Sequence, residues 1–294
     1  MTEYALFSGC VIPVRLPFME SSARMLLKEF DIELVDMPGT GCCPDPFLKS
    51  VDEGTWITLA ARNLTVAEEM GLKILTPCNG CFETLKTVDV SLKGDPKQKE
   101  EINRRLSKVG REYKGKTEVK HLVEVLMEDV GLDRMKDSIV SPLTDLRVAA
   151  HYGCHLLRPN HILDVDDPVR PRLLDALIEA TGATSVPYYK SNMCCGFASG
   201  NADAETGKAV VRYKLGWMER AGVDCISVVC PTCFLQFDVT QRLVRKASGD
   251  RFNIPVLYYP EILLLAMGVE SSDLGLDMHR TSVADVLDRF TGGL

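Results

Sequence analysis

Eleven cysteines stand in a chain of 294 residues, and ten of them fall into two sets with the same internal order. The first set is Cys10, Cys42, Cys43, Cys78 and Cys81; the second is Cys154, Cys194, Cys195, Cys230 and Cys233. Each runs as a single cysteine, a vicinal pair, then Cys-x-x-Cys. The interval from Cys43 to Cys78 is 35 residues, and that from Cys195 to Cys230 is also 35. The intervals from the single cysteine to the pair differ, 32 against 40, so one connection varies while the rest keeps its length. Clustered thiols of this kind hold metal or do redox chemistry. Structural zinc takes four ligands, usually from two separated pairs. Adjacent cysteines chelate one tetrahedral ion poorly, because the intervening peptide closes a strained ring. They suit a polynuclear iron–sulfur centre, where each sulfur can bind a different iron. The ferredoxin run Cys-x2-Cys-x2-Cys-x3-Cys does not occur in the chain. The residues favour iron–sulfur centres and leave zinc and catalytic thiols as the other possibilities.

The elements that must position these cysteines repeat with them. Residues 7–10 (FSGC) answer 151–154 (HYGC), 77–82 (PCNGCF) answer 229–234 (VCPTCF), and 123–131 answer 260–268 with Glu124 and Glu261 in register. Such self-similarity marks a duplicated structural unit. Each half alternates short β-branched runs with amphipathic ones. Strands are predicted at 4–7, 32–37 and 73–77, then at 147–151, 184–189 and 225–229. Helices are predicted at 21–30 and 55–70, then at 172–180 and 203–220, with Gly71 and Gly222 as stops. This order predicts an α/β fold of two tandem modules, each a small parallel-sheet unit, spanning 1–140 and 141–294. It puts all ten cysteines at the carboxyl ends of strands, the edge where open α/β sheets collect ligands.

Composition narrows the function. Forty-one acidic against 34 basic residues give a formal charge of −7, which argues against a nucleic-acid binder relying on bulk positive charge. The longest stretch without a charged residue or His is 13 residues, 225–237. A spanning helix needs about 20, so no transmembrane segment is expected. The first ten residues hold Glu3 and no basic region, so no signal peptide and a cytoplasmic location are expected. One segment departs from the repeat: residues 93–120 hold ten Lys/Arg against five acids and contain an insertion. It reads as a solvated helix and loop, with docking of an acidic partner as the sharper alternative.

The two cysteine sets resemble the cysteine-rich CCG module; Cys194-Cys195-Gly196 matches it, whereas Cys42-Cys43-Pro44 departs at the third position. Two modules at this length resemble the B subunits of CoB–CoM heterodisulfide reductases. The resemblance implies two non-cubane [4Fe–4S] clusters, one per half, each ligated by the five cysteines of its set. It implies two-electron reduction of the CoM-S-S-CoB disulfide to two thiols in methanogenesis, each cluster serving one sulfur. It further implies three kinds of partner: a ferredoxin-like iron–sulfur protein (the C subunit), a flavin-containing protein (the A subunit), and an upstream hydrogenase or formate dehydrogenase. An electron-transfer or membrane-attaching subunit of a succinate- or lactate-type oxidoreductase is the alternative.

The implied substrate is anionic, which makes nearby cations candidates. Arg15 follows Cys10 by five residues and Arg158 follows Cys154 by four, so both are candidate anion clamps, with His155, Lys49 and Lys190 beside them. His151 reads as a structural histidine with its hydrogen bonds satisfied. Glu124 and Glu261 read as helix caps. Cys225 has no counterpart in the first half and reads as a small buried hydrophobe. Cys225→Ser is therefore expected to keep the full iron content on anaerobic purification; loss of one centre would mean that the repeat register is misread.

Overall fold

The computed structural model describes residues 1–249 and 252–291; Asp250, Arg251 and 292–294, which fall in the second predicted module, lie outside the described residues. The first half builds β1 (Thr2–Leu6), β2 (Ile32–Asp36), β3 (Lys73–Thr76) and β4 (Val119–His121). The second builds β5 (Arg147–His151), β6 (Thr184–Ser185), β7 (Cys225–Val228) and β8 (Val256–Tyr258). They form two parallel sheets of the same topology, ordered β2-β1-β3-β4 and β6-β5-β7-β8. Ala5, Ile74, Leu75 and Val119 are fully buried, as are Val148, Ala149, Ile226 and Val256. Strands this short and apolar are covered on both faces, as parallel sheets require.

Parallel neighbours need crossover connections, and amphipathic helices supply them. The helix Glu53–Met70 starts where Asp52 Oδ1 accepts the Thr55 N–H and stops at Gly71, whose φ is 70°. Its counterpart Ala204–Arg220 starts on Asp203, which accepts the Thr206 N–H, and the chain turns away at Gly222, φ 68°. The one marked shortfall against the sequence is β6. A strand over 184–189 is expected, yet only Thr184–Ser185 pair, with one further bond from the Val186 N–H to the Val148 carbonyl. In that register the next donor would be the Tyr188 N–H, but the Ala150 carbonyl accepts the Tyr188 hydroxyl instead, at 3.3 Å, and the ladder stops.

The halves are packed on one another. Phe18 meets Phe234 edge to face at 5.2 Å and stacks near His279 at 4.8 Å; an aromatic pair of this kind contributes about 0.5–1.5 kcal/mol beyond its burial. Asn79 Nδ2 donates to the Tyr152 carbonyl at 2.7 Å, a buried bond from the first half into the second. The segment between them is pinned where the Val140 and Ser141 N–H groups both donate to the Ala266 carbonyl.

Glu124 and Glu261 are caps, in equivalent places. Glu124 Oε2 accepts the His121 N–H at 2.6 Å while His121 Nδ1 accepts the Val123 N–H; Glu261 Oε2 accepts the Tyr258 N–H at 2.7 Å. Burial pushes the Glu124 carboxyl from 4.5 up to about 7. Burial also holds His121 down, from 6.5 to about 4. The two act in opposite senses. The His121 contribution is complete above its unfolded pKa and is lost as pH falls toward 4; that of Glu124 is complete below 4.5 and is lost as pH rises toward 7. Each is worth roughly 3–3.5 kcal/mol. Relative to wild type, Glu124→Gln is thus expected to lose more stability at pH 5 than at pH 7, and His121→Asn the reverse. Thermal unfolding of both variants checks this, and a pH trend of the same sign in both would refute the assignment.

Candidate metal centre

Each set of five cysteines comes from three connections at a carboxyl edge. Cys10 follows β1 and Cys154 follows β5, each after a glycine. Cys42 and Cys43 lie between β2 and the helix Glu53–Met70, and Cys194 and Cys195 between β6 and the helix Ala204–Arg220. Cys78 and Cys230 directly precede the helices Asn79–Gly94 and Pro231–Ser248, whose first turns carry Cys81 and Cys233. A helix N-terminus favours thiolate. Gly9 and Gly153 are required here. Both have φ above +70°, and a Cβ on Gly9 would lie 2.7 Å from Cys81 Sγ, while one on Gly153 would lie 2.5 Å from Asn79 Nδ2 and 3.2 Å from Cys233 Sγ.

The sulfurs form one run across the molecule. Cys10 lies 4.0 Å from Cys42, and contacts continue through Cys43 and Cys81 to Cys78. Cys78 touches Cys230 of the other half, and the run proceeds through Cys233, Cys195 and Cys194 to Cys154, the last pair 3.9 Å apart. Thiol donation from Cys42 and then Cys81 pulls Cys43 down to about 4. Cys194 is lowered in the same way by Cys154 and Cys195, and Cys230 by Cys233 and Cys78. Their neighbours move upward; Cys195, donating to Cys194, rises to about 12. None of the eleven cysteines forms a disulfide.

All ten repeated cysteines line a single cavity of about 310 Å³ between the halves, with Ser8, Asp45, Asn79, His155 and Thr232 as the other polar lining. Cys10 and Cys42 are exposed, Cys154 and Cys194 half-buried, and the remaining six buried. Beside the sulfur run lie buried polar atoms with no hydrogen-bond partner: both ring nitrogens of His151 and the Tyr258 hydroxyl. Tyr258 sits in the field of Cys78 and Cys230. Five soft thiol donors per half and unsatisfied polar atoms next to them fit an iron–sulfur group on each side of the seam.

Of the five candidate cations, His155 lines the cavity, with its Nδ1 3.8 Å from where a Cβ on Gly80 would be. Arg15, Lys49, Arg158 and Lys190 are exposed and outside the lining. Arg158 donates to the Asn192 and Pro168 carbonyls, Lys49 lies over the Trp56 ring at 4.9 Å, and Lys190 over Tyr189 at 5.0 Å. His151 departs from its sequence reading: it is fully buried but unsatisfied, and its ligand atom lies within 4.8 Å of Cys195 and Cys233 Sγ. Cys225 is buried in β7, away from the lining.

Sequence reasoning missed the residues that hold the paired cysteines. Lys214 is completely buried, and its Nζ donates to the carbonyls of Lys190 (2.9 Å), Ser191 (3.2 Å) and Met193 (2.8 Å), just ahead of Cys194. Burial pushes its amine down to about 8. In the first half Arg62 donates to the Gly39 carbonyl at 2.8 Å, and Asn63 bonds the Gly41 N–H and the Cys42 carbonyl. Arg62 and Lys214 each lie 19 residues after the second cysteine of their pair. Superposing the repeats on the shared 35-residue interval would have found them.

The model of the cysteine-rich CCG domain matches residues 4–86 and again 148–238, the two stretches that carry the ten cysteines. The chain belongs to the CCG family. Among curated CCG relatives, it is 42% identical over 95% of its length, and 94% of theirs, to a protein of Methanosarcina acetivorans named as the B subunit of ferredoxin/F420H2-dependent CoB–CoM heterodisulfide reductase. It is also 30% identical, over 94% of this chain and 95% of the other, to the membrane anchor subunit of 8-methylmenaquinol:fumarate reductase of Wolinella succinogenes. No helix among the described residues is long and apolar enough to cross a membrane. A solved hypothetical protein from Helicobacter pylori shares the fold, with a TM-score of 0.80 at 19% identity over 96% of this chain and 52% of that one.

Loss of the buried clamp on the second cysteine pair should be measurable. Lys214→Met leaves three carbonyls without their donor and is expected to destabilise by about 3 kcal/mol. Arg62→Met, half exposed, should cost no more than about 1 kcal/mol. Chemical denaturation compares the two; equal losses would mean that the clamps are equivalent.

Proposed function

We propose that this CCG chain is the disulfide-reducing B subunit of a CoB–CoM-type heterodisulfide reductase. The reaction takes one disulfide, two electrons and two protons to two thiols. The observation that carries the reading is the single cavity lined by both cysteine sets, joined at the Cys78–Cys230 contact. Two non-cubane [4Fe–4S] clusters, held by Cys10, Cys42, Cys43, Cys78 and Cys81 and by Cys154, Cys194, Cys195, Cys230 and Cys233, would supply the electrons singly, one for each sulfur of the bond. The modules of 1–140 and 141–294 are then the two halves of one active centre.

The chain's own part is placement and exclusion of water. Val11, Pro46, Phe197, Ala198 and Pro231 give the cavity apolar walls, so a disulfide inside is held without competing solvent. His155 is the lining residue able to carry a proton to a departing thiolate. Arg15, Lys49, Arg158 and Lys190 stand outside, where the anionic ends of a substrate protrude. Electrons enter from partner proteins, and the exposed cations of 93–120, such as Lys97, Arg104 and Lys108, form the docking face for an acidic one.

The test is anaerobic reconstitution with a one-electron donor. About eight irons and matching sulfide are expected, with consumption of the heterodisulfide. Cys81→Ser and Cys233→Ser should each abolish turnover, while the untouched centre stays visible by electron paramagnetic resonance. Retention of half the activity in either variant would exclude the paired mechanism. A wild type rich in iron but inert toward disulfides would instead favour an electron-transfer role, with the fumarate reductase relative as the nearer parallel.

A further inference from the structure

His151 ends β5 at the position that Phe7 occupies after β1: each precedes its Gly-Cys by two residues. Phe7 is buried and apolar. In the second half the same site holds an imidazole that is fully buried, with both nitrogens unpaired. Its neighbours leave it one polar direction. Phe237 meets the ring edge to face at 4.8 Å, and Cys195 and Cys233 Sγ lie within 4.8 Å of its nitrogen. Lys214, the nearest buried cation, is already committed to three carbonyls.

We propose that His151 donates a hydrogen bond to a sulfur of the iron–sulfur centre in the second half, and thereby raises the reduction potential of that centre alone. The proposal rests on the reading that each half holds such a centre. The first half carries the same five thiols with Phe7 at the equivalent position, so the imidazole is not needed as a sixth donor to metal. An imidazole carries at least one N–H in either protonation state, so the role does not depend on its charge. A hydrogen bond to a cluster sulfur stabilises the reduced, more negative state and raises its potential. It also satisfies a buried polar group that otherwise has nothing to bond. The duplicated fold thus carries two centres with different surroundings, which distinguishes their affinity for the first electron.

The experiment is a redox titration of anaerobically purified protein, followed by electron paramagnetic resonance, on wild type, His151→Phe, His151→Leu and His151→Gln. The apolar variants should lower one midpoint by about tenfold in its reduction equilibrium, which is about 59 mV for one electron. They should leave the other midpoint and the iron content unchanged. His151→Gln keeps an N–H and should restore part of the shift. In a Cys233→Ser background, the same changes at His151 should have no effect on the remaining centre. Unchanged midpoints in both apolar variants would overturn the proposal, as would loss of about half the iron, which would make His151 a ligand. His151→Leu serves as the apolar test if the phenyl ring does not fit. A wild type without iron overturns the underlying reading itself, and is distinguished from these outcomes by metal analysis before any titration.

Discussion

Parallel strands release the chain at their carboxyl ends, and in this molecule the carboxyl edges of two such sheets face one another across a cavity. Every other feature of the centre depends on that opposition. It is held by the Phe18–Phe234 contact and by the buried bond from Asn79 to the Tyr152 carbonyl. It works only because Gly9 and Gly153 have no side chain to strike the sulfur of Cys81 or the Asn79 amide. With those spaces open, Cys78 and Cys230 meet at the seam, and two separate sets of thiols become one continuous run.

A run of buried thiols cannot ionise freely, because desolvation and mutual repulsion both oppose charge. The chain spreads that difficulty. Cys43, Cys194 and Cys230 are held as acceptors by thiol donation from neighbours, and the Cys-x-x-Cys motifs sit at helix N-termini. The loops before the vicinal pairs are tied down by side chains of the following helix, Arg62 and Asn63 in one half and Lys214 in the other. The halves are alike in backbone and unlike in surroundings. The first has exposed Cys10 and Cys42 and a phenyl ring at Phe7; the second has a deeper sulfur set, the fully buried Lys214 and, at the site equivalent to Phe7, an imidazole with neither nitrogen bonded.

The basic segment shows how much of a charge run is consumed internally. The Glu68 carboxylate accepts the backbone N–H groups of Lys114, Gly115 and Lys116. Lys93 pairs with Asp89, Arg111 with Glu69, and Lys120 with Glu128 and Asp129. The buried Tyr113 hydroxyl donates to Asp89. Much of the insertion is thus bolted to the first sheet and its helices. Lys97, Arg104 and Lys108 remain on its outer face.

Local chemistry is legible in a sequence, and so the repeat, the strand-helix alternation and the convergence of cysteines at strand ends can be read from residues 7–10, 77–82 and their copies. Helix stops at Gly71 and Gly222 and caps at Glu124 and Glu261 are legible for the same reason, because a left-handed turn or a capping carboxylate acts within one turn of chain. The apolar pattern over 184–189 is longer than the strand that forms, since it carries no sign that the Ala150 carbonyl, next in the ladder, is taken by the Tyr188 hydroxyl. What tertiary structure alone decided is which groups meet across long separations. Sequence spacing carries no information on whether Cys78 touches Cys230, whether Arg158 turns to its own loop carbonyls, or whether His151 finds a partner. Those outcomes depend on how two sheets pack, and packing is set by the whole buried surface rather than by any short run of residues.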